Sequence, residues 1–533
     1  MIRPLAYLTA VLAVAVCGLL PLFSMVLQAF TSDGSLSLAA LEGVLDSPRQ
    51  WRLLGNSLAL AASSASMAAV AGVPLGLLLA RTDLPGRRLL SMIFALPLLV
   101  PPYVMAVAWL DLLAPDGPVA PLVPAGLLDR LLFGGGGPVL VLGTIYLPIP
   151  MVLTMAYSRG VDPRLEEAAR LVCSWPRTAA AVTVPLIMPA LLFSWLLVFI
   201  LALGEFSVPA LFRLDVFSAE SFTLFSAMYD FKAATVQSLP LAAFALLFIL
   251  LEGLVMSPAR GRFVSAPLSG RAGLLTMELG RYRLPALAAV MAGALILVLM
   301  PVGGLALKAV GSGLLVQALF SSWPSLVRSL TYGAAGASLL TAAGFFIGCM
   351  VRQRDLPGWR LADLMCLFLF ALPGTVLGIG LISLWNHPST SLIYGSFIMV
   401  LMGYLASYTA LAERIILAQL VQIPDSMDEA ARAAGAGWAR RLAFITVPLS
   451  SRGIAAAWLV GFLFCMRDTD ITMLVYPPGQ ETMPVRIFTL MANGAPDFIA
   501  ALCMLMLAAV VVPASILWML MGTAARGKWQ QMS

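Results

Sequence analysis

The sequence predicts an all-α polytopic membrane protein, twelve transmembrane helices built as two parallel six-helix repeats. Three observations predict it. The 533 residues are 61% hydrophobic and only 11% charged, with one histidine, His387, and this lies far from the composition of a soluble globular chain. Apolar runs of about 20 residues, the length a helix needs to cross a hydrocarbon core of roughly 30 Å, recur throughout. With the N-terminus placed inside, 23 of the 32 Lys and Arg fall in segments on that side, the asymmetry of the positive-inside rule. The net charge of +6 therefore reports orientation, with both termini cytoplasmic, rather than a nucleic-acid partner.

The runs lie at approximately 5–30, 54–80, 89–113, 137–158, 186–211, 236–256, 284–307, 327–350, 361–385, 394–417, 450–475 and 498–521. The first is too long for the apolar core of a signal peptide and no small-residue cleavage site follows it, so it reads as an uncleaved span. Cys17, Cys173, Cys349, Cys366, Cys465 and Cys503 are scattered singly; without a CxxC spacing they predict packing rather than a metal site or disulfides. No catalytic or metal-ligating constellation is found.

The chain is written twice. RTDLPGRR after the second run, with Ala95–Pro97 following, corresponds to RQRDLPGWR after the eighth, with Ala371–Pro373 following. EEAARLVCSWPRTAAAVTVPL after the fourth corresponds to DEAARAAGAGWARRLAFITVPL after the tenth. An even number of spans per unit gives both halves one orientation, with a solute path expected between them. The first half is expected over 1–256, a Pro-, Gly- and Arg-rich cytoplasmic linker over 257–283, and the second half over 284–533.

The repeated loops, 159–184 and 418–447, stand out as short, polar and alanine-rich. Asp162 and Pro163 predict an N-cap and first helical position; Ser426 with Glu429 predicts a capping box. Gly435 or Gly437 ends the second helix, since glycine accepts a left-handed cap. A helix of two or three turns, marginal alone in water and too polar for lipid, suits docking into a groove of another protein.

EAA, then a glycine, then a hydrophobic–Pro pair resembles the EAA loop of permease subunits of binding-protein-dependent ABC importers. Glu429, Ala430, Ala431, Gly435 and Pro448 carry it in the second half; Glu167, Ala168, Ala169 and Pro185 carry it in the first, where Cys173 replaces the glycine. The resemblance spans nearly the whole chain and is to fused two-half permeases such as those of ferric-iron and thiamine importers. It implies that Glu166, Glu167, Ala168, Ala169, Cys173, Glu429, Ala430, Ala431 and Gly435 belong to coupling segments. The implied partners are two copies of a cytoplasmic ABC ATPase, an external solute-binding protein and the lipid of a bacterial inner membrane. ATP and magnesium belong to the ATPase, and this chain needs no cofactor of its own. GTAARGKW, from Gly522, imitates a phosphate-binding loop, but Trp529 replaces the magnesium-binding hydroxyl and a span precedes it where a strand is required.

Ionisable groups within a span are costly and ask for a reason. Glu205 and Asp468 each lie twenty residues after the VP prolines, Pro185 and Pro448. With Asp470 they are the candidate path residues, which suits a cation. Asp111 reads as an interfacial group, and Trp109, Trp195 and Trp385 as interface anchors. Segments 218–234 and 479–498 each predict a short amphipathic helix outside. Ferric iron is the expected solute, with thiamine, polyamine or phosphonate as alternatives. A secondary transporter driven by an ion gradient is the rival class, but it does not need two EAA loops.

Overall fold

Backbone polar groups in hydrocarbon must be satisfied within their own segment, so long apolar runs fold as helices. The computed structural model describes all residues except 1, 33–34, 37–46, 114–116, 118, 120, 122–125, 127–131, 229–230, 265–276 and 531–533. The chain is an all-α, multi-pass membrane protein; the strands among the described residues are the two-residue pair Thr31–Ser32 and Ser35–Leu36. In chain order the spans are Pro4–Phe30 (one), Pro48–Arg81 (two), Leu132–Ser158 (four), Trp175–Gly204 (five), Lys232–Val255 (six), Gly280–Gly311 (seven), Leu315–Gln353 (eight), Ile398–Leu420 (ten), Trp438–Arg467 (eleven) and Pro496–Ile516 (twelve).

Positions three and nine depart from expectation. The runs at 89–113 and 361–385 are not straight spans: Arg87–Leu99 meets Pro102–Leu113 at 104°, and Trp359–Ala371 meets Gly374–Trp385 at 107°. The second break falls on its Ala–Leu–Pro, at Leu372–Pro373, whereas the first falls just beyond its copy, at Val100–Pro101. A residue before proline is pushed out of the helical region, and Leu372 before Pro373 is extended (ψ 139°), as is Val100 (ψ 128°) before Pro101. In the second repeat the landmark that identified the repeat is the break itself.

Proline has a second repeated effect. Besides Leu132–Gly136, which is kinked at the left-handed Gly135 (φ 96°), four spans widen by one residue into a π turn, at Ala15–Leu19, Ala179–Thr183, Leu295–Leu299 and Leu442–Thr446. Each is followed by one residue and then proline: Pro21, Pro185, Pro301 and Pro448. Inside a regular helix the ring clashes with the carbonyl four residues back. A π turn opens the ladder at that point, and such turns recur at functional sites.

The described chain packs as two compact units, one of residues 1–47, 220–243 and 312–533, the other of 48–219 and 244–311. Within the first, span one packs with spans eight to ten: a Cβ at Gly18 would meet the Leu369 side chain, and Gln28 donates to the Ser383 carbonyl at 3.1 Å. Within the second, span seven lies against position three, where Val290, Ala294 and Val298 join Leu90 and Phe94 in one buried cluster and Lys308 pairs with Asp111. The leading span of each sequence repeat thus packs with helices of the other repeat. The end of the linker is tied down in the second unit, where Met277 N donates to the Arg81 carbonyl at 2.7 Å and Leu279 N to Asp83 at 3.0 Å. Residues 265–276 of the linker lie outside the described residues.

Equivalent contacts recur inside each unit. Gly72 and Gly76 of span two approach span four so closely that a Cβ would lie 2.8 Å from the Leu147 carbonyl oxygen and 2.6 Å from that of Met151; Gly344 of span eight would place one 2.7 Å from Glu413 N. Small residues permit this close helix approach in a membrane. Trp195 donates to Ser66 at 3.1 Å and Trp458 to Ser338 at 3.0 Å. Trp195 is therefore engaged inside its unit and Trp109 is buried, so neither is a simple interface anchor.

Candidate functional site

The first repeated loop begins as its sequence predicts. Asp162 is extended (φ −61°, ψ 119°), and its carboxylate accepts from Arg164 N at 3.0 Å to start the helix Pro163–Arg170. The helix buries one residue. Glu166 is 2% exposed, and a single carboxylate oxygen accepts from Arg81 Nη2 at 2.9 Å and Thr183 Oγ1 at 2.7 Å. Arg81 ends span two; Thr183 ends the π turn of span five. On the rest of the segment Leu165 is half exposed, Leu171 is 87% and Val172 84% exposed, and Glu167 and Ala168 are open. Ala169 and Cys173 are half-buried. Apolar side chains this open on a charged segment form a face without a partner among the described residues.

The second loop helix, Asp425–Ala433, starts differently. Its N-cap is Pro424, whose side chain accepts no capping bond, so Ser426 lies inside the first turn and the expected capping box is not formed. Pro424 occupies the position of Asp162 and is itself extended (ψ 137°), which sets the start one residue before Ser426. The end is as expected. Gly435 is left-handed (φ 79°), Gly435 N donates to the Arg432 carbonyl at 3.0 Å and Ala436 N to that of Ala431 at 2.9 Å, the two bonds of a Schellman cap. Among the described residues Cys173 has no positive φ; instead Cys173 N donates to the Ala169 carbonyl at 2.8 Å, and Arg170 stacks over Trp175.

Asp428, the counterpart of Glu166, is held by Arg432 at 3.1 Å and Arg441 at 3.4 Å. Span eight reaches this loop elsewhere, through Arg352 Nη2 to the Ile423 carbonyl at 2.7 Å and the exposed Asp425 at 3.0 Å. Gln353, Arg352, Thr446 and Asp428 line a small cavity at the loop's root. There Tyr7 of span one donates to Gln353 at 3.1 Å and meets Trp438 edge-on. Glu429 and Ala430 are exposed and Ala431 half-buried.

Glu205 and Asp468 occupy matching places, each the extended residue that ends its span (ψ 125° in both). Both are buried, at 7% and 4% exposed. Glu205 accepts from the amide and hydroxyl of Ser207. Asp468 accepts from Thr472 N at 2.9 Å, Thr472 Oγ1 at 2.6 Å and Tyr408 at 2.6 Å. Each carboxylate thus caps the short helix that follows, Ser207–Leu211 or Thr472–Val475. Asp470 is half-buried and packs where a Cβ on Gly374 would meet it, beside the break at position nine. The outer segments contain the expected helices, Phe217–Ser226 and Met483–Leu490, each held by a span serine: Phe217 N donates to Ser57 and Met483 N to Ser329, both at 2.8 Å.

Sequence reasoning missed the partners of Glu166, although Arg81 and Thr183 stand inside the two repeated landmarks; a pairing 85 residues apart leaves no local signal. It also missed Glu413, fully buried in span ten beside Arg414, which holds Asp363 at 2.9 Å. Gly522–Trp529 lies within the helix Pro496–Gln530, so no phosphate-binding loop forms there.

No protein-family model matches the chain. It is 25% identical over 466 residues, 82% of its length and 72% of the relative's, to ferric transport system permease protein FbpB 1 of Haemophilus influenzae. It is 27% identical over 506 residues, 86% of each chain, to the ABC transporter permease protein y4fN of Sinorhizobium fredii. One stretch of 174 residues, 33% of this chain, is 24% identical to the 2-aminoethylphosphonate transport system permease protein PhnV of Salmonella typhimurium, covering 65% of it.

Proposed function

We propose that this chain, which resembles fused two-half permeases of ABC importers over more than four fifths of its length, is the membrane conduit of an ATP-driven importer. The observation that carries the reading is the pair of repeated loop helices, each rooted on spans of its own unit and each presenting open residues: Leu165, Glu167, Ala168, Leu171 and Val172 in one, Met427, Glu429 and Ala430 in the other. Each would seat in a cleft of one of two cytoplasmic ATPase subunits. Hydrolysis, with its ATP and magnesium, takes place on those subunits. An external solute-binding protein delivers the cargo, and both termini and both loops face the cytoplasm of a bacterial cell.

Ferric iron is the proposed cargo. Its support is similarity across both halves to a protein named for ferric transport; the phosphonate permease matches only one third of the chain. The buried acids add nothing to this choice, because capping already accounts for them. Thiamine and polyamine have no support among these similarities.

Reconstitution tests the reading. The chain, co-expressed with the ATPase and binding protein of its own genome, should co-purify with the ATPase and import radiolabelled ferric iron only with ATP. Cysteine introduced at Ala436 of a cysteine-free version should resist an impermeant maleimide in intact cells. Iron-free import of labelled 2-aminoethylphosphonate would change the cargo alone. Uptake driven by an ion gradient without ATP would replace the importer with a secondary transporter.

A further inference from the structure

The two loops are fastened to their spans in different ways. In the first, one oxygen of one buried carboxylate holds both neighbours: Arg81 at the end of span two and Thr183 in the π turn of span five, at 2.9 and 2.7 Å. In the second the work is divided. Span eight takes Ile423 and Asp425 through Arg352, while among the described residues Asp428 pairs within its helix and with the start of span eleven, through Arg432 and Arg441. Aspartate is one methylene shorter than glutamate, and Thr446, the counterpart of Thr183, lines the cavity beside it.

We propose that Glu166 is a positioning residue, a single node through which movement of the first loop helix reaches spans two and five together, and that no single residue does this in the second loop. The proposal rests on the importer reading and concerns how its first coupling segment transmits movement. Glu166 faces inward, away from the open residues Glu167, Leu171 and Val172, so it acts on transmission and not on docking. A buried ion pair broken by removal of one partner leaves the other charge stranded. Arg81, itself buried, would then pull away from the loop towards any remaining acceptor.

The test uses the full chain with its ATPase and binding protein in proteoliposomes. Two quantities are read for each variant: the mobility of a spin label at Val172 or Ala434, and solute imported per ATP hydrolysed, with ferric iron and 2-aminoethylphosphonate as alternative probes. Glu166→Gln should loosen the Val172 label and lower import per ATP at least about fivefold, with the ATPase still co-purifying. Asp428→Asn should change its label and its import less than about twofold, and only Asp425→Asn with Asp428→Asn should match the loss from Glu166→Gln. If Glu166→Gln is not monodisperse, Thr183→Val and Glu166→Asp, which remove one arm or shorten the reach, are read in its place. Wild-type label mobility and import in the Glu166 variants would overturn the node, as would an equal loss from Asp428→Asn alone. Failure of the wild-type chain to bind ATPase would overturn the importer reading instead, and the label at Val172 would still decide whether Glu166 fixes the loop.

Discussion

Asp468 shows how one side chain can look like a site and serve as a joint. An acid near the end of an apolar span invites a role in conduction, yet its carboxylate is consumed by Thr472 and Tyr408, and Glu205 is consumed likewise by Ser207. A helix that stops inside a protein must have its next segment's free amides satisfied, and a carboxylate does this strongly because the bond is charge-assisted. The Asp468→Asn variant should therefore lose about 1–3 kcal/mol of stability, the usual cost of a buried bond left short of a partner. Thermal melting of the purified chain reads that loss. Uptake in Glu205→Gln with Asp468→Asn should fall only as far as the amount of folded protein falls; a larger fall at full folding would return both acids to the path. The depth match between them was legible from their equal distance to the VP prolines. Their partners were not, because Tyr408 lies sixty residues away from Asp468.

Among the elements, the loop helices were legible at the ends where local chemistry decides and obscure where it does not. Asp162–Pro163 and Gly435 carry their conformation in their own covalent structure. Ser426 satisfied a sequence pattern but stood two residues too far along, after Pro424 had already set the start. The left-handed Gly435 has nothing within 4 Å of where a Cβ would project, so any penalty for a side chain there is conformational. Gly435→Val should thus destabilise the cap by about 1–2 kcal/mol, while Cys173→Val, at a position without positive φ, should be close to neutral. ATPase co-purification should drop for the first and hold for the second; equal effects would show that the cap has no part in coupling. The break at position nine was written in the sequence as Ala–Leu–Pro, that at position three as the Pro101–Pro102 pair just after its Ala–Leu–Pro, and the π turns as X–Pro. Hydropathy hides them, since proline interrupts hydrogen bonding without making a run less apolar.

For the molecule as a whole, the repeat was legible because both copies keep the same landmarks in the same order, and the span count follows from it. The packing of span one with spans eight to ten, and of span seven with position three, was not, since apolar helices carry little information about which partner they choose. That packing has a consequence for how the protein is made. A ribosome delivers span one first, but the helices it rests on begin only nearly three hundred residues later, so the opening span must wait in the bilayer with an unfinished face. Neither half is then a self-sufficient product. Expressed separately, residues 1–264 and 277–533 should each be cleared by membrane proteases, and expressed together from two genes they should protect one another, as immunoblots of the two fragments would show. Persistence of either fragment alone would mean that the exchanged spans are ornaments of the fold. If the pair survives only in company, joining the halves in one chain ensures that every first span is made in equal number with the helices that complete it.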